Sequence, residues 1–207
     1  MYPDSPQHVK GTPAAREVWE RQYRSGGWDY LAGDDEAGHY LAIAEICRRY
    51  LRDGSLLDIG CGTGLLLVHL QRHAGIAPSC YTGIDISQEA LRQAASSWPD
   101  ANLSRLDYCT EEMPGRYDGV IFNETLYYFD DPAEILDKSI AENMQIGALL
   151  IVSMYGDHHG PIWDALEARC NTVDELMVEN SNRVRWKIRA LRPRAESATG
   201  SSIFGSS

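Results

Sequence analysis

Apolar residues along this chain change their spacing several times, and each change marks a boundary between elements. A helical pattern covers residues 14–24, and Ser25-Gly26-Gly27 breaks it. A second amphipathic stretch over 36–51 sets Leu41, Ile43, Ala44, Ile46 and Cys47 where a helix would pack on a sheet. From there short apolar runs alternate with amphipathic ones. The runs at 55–59, 80–85, 102–106, 119–122 and 148–154 predict strands, and 65–73, 88–97, 131–143 and 161–169 predict helices. Asp130-Asp131-Pro132 is a helix-start signal, an acidic cap followed by a proline in the first turn. Two late strand patterns, 175–179 and 184–191, flank Asn180-Ser181-Asn182, which reads as a hairpin loop.

Strand and helix alternating, then a hairpin, predict an α/β fold. Its sheet is mostly parallel with an antiparallel edge, and helices cover both faces. Residues 1–11 are polar and rich in Pro and Gly and read as a flexible arm, and 194–207 read as a low-complexity, disordered tail. One domain over 12–193 remains. Hydrophobic content of 43% and charged content of 24% are ordinary for a globular protein.

No apolar run approaches the roughly 20 residues of a membrane helix, and the first residues lack the basic and apolar regions of a signal peptide. Cys47, Cys61, Cys80, Cys109 and Cys170 are odd in number and form no C-x-x-C, so a reduced, cytoplasmic protein is expected. A net charge of −11 opposes a phosphate backbone. The basic residues Arg183, Arg185, Lys187, Arg189, Arg192 and Arg194 alternate along a strand pattern and read as a solvated sheet face. The expected partner is therefore a small molecule, neither nucleic acid nor membrane. Monomer and homodimer both stay open.

The chemistry concentrates in Leu56-Leu57-Asp58-Ile59-Gly60-Cys61-Gly62-Thr63-Gly64. An apolar strand runs into three alternating glycines and then a helix, the form taken where a cofactor presses on backbone. The dinucleotide fingerprint would need its third glycine at Leu65, and no P-loop Lys-Ser or Lys-Thr follows. A second strand, Tyr81-Thr82-Gly83-Ile84-Asp85-Ile86-Ser87, ends in Asp85, an acid placed to accept hydrogen bonds from a ribose diol. Asp107, beside Tyr108, follows the third strand. Gly119 to Phe122 leads into Asn123-Glu124-Thr125-Leu126-Tyr127-Tyr128.

These segments, in this order, resemble the class I S-adenosylmethionine (SAM) methyltransferases over roughly residues 18–193. The resemblance implies a Rossmann-like sheet of seven strands, mostly parallel with one antiparallel edge strand. It implies SAM as cofactor and S-adenosylhomocysteine as product. Asp58, Gly60, Cys61, Gly62 and Gly64 would lie under the amino-acid part, Asp85 and Ile86 at the ribose, Asp107 and Tyr108 at the adenine, and Asn123 near the methyl. Trp28 and Tyr30, after the glycine break, would belong to a lid whose rings attract the sulfonium. His39 and Tyr40 join that lid with less support. The segment from Asn123 to Tyr128 is similar to that of small-molecule N-methyltransferases, among them the nodulation enzymes that methylate a chitooligosaccharide amine. The metal-binding E-x-x-E-H of small-RNA methyltransferases is absent, and aromatic residues stand where its ligands would be, so no metal is expected. The Asn-Pro-Pro-Tyr of enzymes that methylate planar nitrogens is absent too.

Methyl transfer is an in-line displacement in which the protein aligns the acceptor and excludes water. Glu124, Tyr128 and His158 are the expected acid–base or acceptor-binding groups, with His159 an alternative to His158. Two other readings stay open: an NAD-dependent oxidoreductase, and a SAM-binding protein without catalysis. An amine or hydroxyl of a metabolite or sugar is the expected acceptor, and these residues do not specify which.

Overall fold

A computed structural model describes residues 14–194. The arm expected at 1–11, and the tail expected at 194–207 apart from Arg194, lie outside the described residues. Two helices come first, α1 (Arg16–Arg24) and α2 (Ala37–Tyr50). Then follow β1 (Leu56–Ile59), α3 (Leu65–His69), β2 (Tyr81–Asp85), α4 (Gln88–Ser97), β3 (Asn102–Arg105), β4 (Tyr117–Asn123), α5 (Pro132–Lys138), β5 (Met144–Tyr155), α6 (Gly160–Arg169), β6 (Cys170–Glu179) and β7 (Arg185–Pro193).

The seven strands form one sheet in the order β3-β2-β1-β4-β5-β7-β6. β1 to β5 run parallel, and β7 pairs antiparallel with both β5 and β6. The antiparallel edge is therefore the β6–β7 hairpin, with β6 outermost. Its turn is held by Asn180, whose Oδ1 accepts the N–H groups of Asn182 and Val184 at 2.9 and 3.0 Å. α2, α3 and α4 pack on one face of the sheet and α5 and α6 on the other. Strands that add outward from β1 through β2 and β3, and then outward on the other side from β4, leave a crevice at the carboxyl ends between β1 and β4. Open α/β sheets hold their ligands at such a switch point.

Several boundaries differ from the sequence pattern. β5 begins at Met144 and β6 at Cys170, so the polar run from Asn171 is already strand. Edge position explains it, because β6 has a pairing neighbour on one side only and alternates exposed with half-buried residues over much of its length. α3 widens into a π-type turn over Leu70–Ala74 and ends on Gly75 at φ 72°. The basic row near the end is paired: Arg189 meets Glu167 and Glu175 at 2.7 and 2.5 Å, and Arg183 and Arg185 meet Glu179. Among the described residues no helix is long and apolar enough to cross a membrane.

Candidate functional site

The crevice opens into a cavity of about 620 Å³, floored by the strand ends and roofed by α1 and α2. The turn after β1 forms part of its lining. The N–H groups of Gly60 and Cys61 both donate to the Ile84 carbonyl, at 2.8 and 3.0 Å, which ties the turn to β2. Gly60 and Gly62 have φ of 79° and 55°, a region costly for residues with a Cβ. A Cβ at Gly60 would also stand 2.3 Å from Thr125 Cγ2, and one at Gly62 would stand 2.9 Å from the Tyr23 hydroxyl. Gly64 begins α3 and lies outside the cavity lining, so its contribution is to the bend.

Asp85 closes β2 and holds this turn from beneath. Its carboxylate accepts the Gly62 N–H at 2.9 Å and the Ser87 N–H at 2.8 Å, one on each oxygen. Burial lifts its pKa to about 6 against the pull of those donors. Each carboxylate oxygen keeps a second lone pair for a ligand. Asp58, 1% exposed, accepts the Tyr81 hydroxyl at 2.5 Å on one oxygen, while the other has no partner. Burial pushes it up to about 7. Ile86, Asp107 and Tyr108 line the same cavity. Asp107 accepts the Cys109 N–H at 3.0 Å, but the Tyr108 hydroxyl turns into the core and donates to Asn143 at 2.7 Å. Tyr108 thus faces the cavity with something other than its polar tip.

Glu124 stands just past β4, the neighbour of β1, and lines the same cavity. Its φ of 59° is unusual for a residue with a side chain. The carboxylate accepts the Ser153 hydroxyl at 2.7 Å, the Tyr127 hydroxyl at 2.9 Å and the Tyr155 N–H at 3.1 Å. Burial raises its pKa to about 7, the three donors oppose that, and the charge of Glu36 adds to it. A carboxyl poised there can exchange a proton near neutrality. Asn123 lines the cavity beside it, its buried Oδ1 without a partner. Tyr128 also lines it, edge-on to Trp19 at 4.9 Å. His158 does not: it is exposed, outside the lining, and packs on Tyr155 and His159 at the start of α6. His159 is buried and stacks on Tyr127 at 4.7 Å, also outside the lining. Neither histidine is carried further as an acid–base group.

The roof is aromatic. Trp28 donates its indole N–H to Gln22 at 3.1 Å and stacks on Trp19 at 5.9 Å, and Tyr23 and Tyr30 pack beside it. Glu20 pins α1 to the fold by accepting the N–H groups of Gln88 and Glu89, at 2.8 and 3.0 Å, at the start of α4. Trp19, Tyr23, Glu36, Tyr155 and Trp186 line the cavity without a motif to announce them. For Trp19 and Tyr23 the signal in the sequence was aromatic density near the chain start, which core packing would produce equally well.

A family profile described as "Methyltransferase domain" matches residues 36–197. The chain belongs to that family. This methyltransferase-domain chain is 27% identical over 140 residues to the dTDP-3-amino-3,4,6-trideoxy-alpha-D-glucopyranose N,N-dimethyltransferase of Streptomyces venezuelae, covering 66% of this chain and 55% of the relative. It spans about half the length of the curated relatives it matches. In fold it is similar to the N-methyltransferase NodS of Bradyrhizobium japonicum, solved in complex with S-adenosyl-l-homocysteine. There the TM-score is 0.68 at 17% identity, over 86% of this chain and 97% of that one. It is also similar to the [4+2]-cyclase SpnF, at TM-score 0.67 and 15% identity, over 88% and 97% of the two chains. The methyltransferase-domain fold thus carries more than one reaction, and the site's chemistry must choose among them.

Proposed function

We propose that this chain transfers a methyl group from SAM to a small-molecule acceptor, with Glu124 receiving the acceptor's proton. The carrying observation is that the Gly60–Gly62 turn, Asp85 and Glu124 line one cavity. The residues present fit the cofactor. The turn presents Gly60, Cys61, Gly62 and Thr63 to the cavity, Asp85 offers lone pairs to a ribose diol, and the unpartnered oxygen of Asp58 suits a cationic group. Trp19, Trp28 and Tyr30 offer π faces to a sulfonium, Asp107 offers an acceptor to an adenine amino group, and Asn123 stands near the methyl.

When bound, SAM supplies a methyl whose C–S electron pair returns to sulfur as the acceptor's lone pair forms the new bond. The chain's own residues do the rest. Trp19 of α1 and Trp28 after it exclude water, Tyr128 bounds the acceptor, and Glu124 takes up a proton near neutral pH. Alignment of this kind is worth up to roughly 7–11 kcal/mol in favourable cases. The relatives support a small acceptor, since one is named for dimethylation of an amino sugar. The five cysteines, all free, support a reducing, cytoplasmic setting.

Methyl-tritiated SAM incubated with the protein and fractionated metabolite pools tests this reading. Transfer of label to a small molecule, lost in Glu124→Gln while SAM still binds, is expected. SAM binding with no labelled product from any pool would favour a binding protein without catalysis.

A further inference from the structure

One side of the cavity is lined by one face of α2 and the residue before it. Glu36, His39 and Tyr40 follow helical spacing and are 5%, 1% and 4% exposed. Trp186 of β7 packs on His39 at 5.2 Å between ring centroids and lines the cavity as well. Leaving a buried polar atom without a partner is costly. Both ring nitrogens of His39 are in that state, and its nearest ionic neighbour is Glu36, 4.0 Å from Nδ1. Such atoms mark a place where a ligand completes the hydrogen bonding.

The cavity's charge narrows the ligand. Glu36, Asp58 and Glu124 all line it, and among the described residues Arg16, out on α1, is the one lysine or arginine that does. Burial raises the Tyr40 phenol, and the charges of Glu36, Glu124 and Asp58, which line the cavity with it, raise it further. Burial, helped by His69, lowers His39 to about 3. It is therefore neutral, with one nitrogen a donor and the other an acceptor. A hydroxyl both donates and accepts, and satisfies such a ring. A cation satisfies the carboxylates.

We infer that this side of the cavity is the acceptor site and selects a small hydroxylated amine, held as its ammonium between Glu36 and Glu124 with a hydroxyl on His39. The inference rests on the proposed methyl transfer. Before transfer the ammonium gives one proton to Glu124 and keeps a lone pair. Trp186 and Tyr40 supply flat walls for the carbon frame. Glu36 and His39 are recognition residues: Glu36 holds the ammonium without taking its proton, and His39 holds the hydroxyl, which does not react.

Calorimetry on the protein saturated with S-adenosylhomocysteine tests this with three molecules of one size: trans-2-aminocyclohexanol, cyclohexylamine and cyclohexane-1,2-diol. The amino alcohol is expected to bind at least about tenfold more tightly than the diol and several-fold more tightly than the plain amine. Glu36→Gln should remove most of the preference over the diol, and His39→Phe most of the preference over the plain amine. Both variants should keep the wild-type affinity for S-adenosylhomocysteine, which shows that they fold. Equal binding of the diol and the amino alcohol by wild type, failure of both amines to bind, or unchanged preferences in the variants would overturn the inference. Failure of S-adenosylhomocysteine itself to bind would instead overturn the cofactor reading beneath it, and the inference with it.

Discussion

The hydroxyl of Tyr23 lies 2.9 Å from the point where a Cβ on Gly62 would stand. The roof helix and the cofactor turn therefore approach each other only because residue 62 has no side chain. Gly62→Ala should both strain the turn, by roughly 1–2 kcal/mol for a left-handed backbone, and push Tyr23 away. Affinity for S-adenosylhomocysteine is expected to fall at least tenfold, with far-ultraviolet circular dichroism unchanged. Adding Tyr23→Phe removes the offending oxygen and should restore part of the loss. No recovery would show that the two residues act separately.

Glu20 fastens α1 over the cavity through the first N–H groups of α4. Glu20→Ala leaves those donors without this partner, a loss of about 1 kcal/mol for a typical cap. Thermal melts should show a small drop, and proteolysis should cut near α1 faster, with S-adenosylhomocysteine slowing the cut. Cleavage at the wild-type rate would remove Glu20 from the fastening of the roof.

Three cavity carboxyls titrate high: Asp58 and Glu124 at about 7 and Asp85 at about 6, each lifted first by burial. In an unfolded chain such groups titrate near 4. Between about pH 4 and 7 the ligand-free folded protein then holds more protons than the unfolded one, so this contribution to stability is present in full below that window and is lost as pH rises through it. Melting temperature without ligand should fall from pH 5 to pH 8, and Glu124→Gln should make the fall shallower. A variant with the wild-type slope would mean that Glu124 is ionised throughout.

The strand-and-glycine half of the site was legible because backbone demands are local. Gly60, Gly62 and Asp85 carry their reasons within a few residues, and the switch point followed from the order of the elements. The acceptor half was not. His39 and Tyr40 read as members of a lid over the cofactor and Glu36 as the start of a packed helix, and nothing in their spacing says that they border a cavity containing Glu124. That depends on β7 entering between β5 and β6 and bringing Trp186 across. Tyr108 lines the cavity as expected, but not with its hydroxyl. Its position beside Asp107 suggested a cofactor contact, but a partner 35 residues on, Asn143, claims its hydroxyl. His158 was drawn in by its place after β5, and the turn into α6 leaves it outside.

Glu124 carries the proposed chemistry, and its three donors come from Tyr127 and the end of β5. Glu124→Gln keeps the shape and removes the base. Once an acceptor is in hand, turnover should fall by about 10²–10⁴, with SAM affinity within a few-fold of wild type. Equal turnover would exclude Glu124 as the proton acceptor.

Titration of SAM into the wild type and into Asp85→Ala by calorimetry tests the cofactor site most directly. One binding site per chain in the wild type, weakened at least tenfold or about 1.4 kcal/mol by the substitution, is the expected result. No binding by the wild type, or equal affinity in the two proteins, would contradict the assignment of this crevice to SAM.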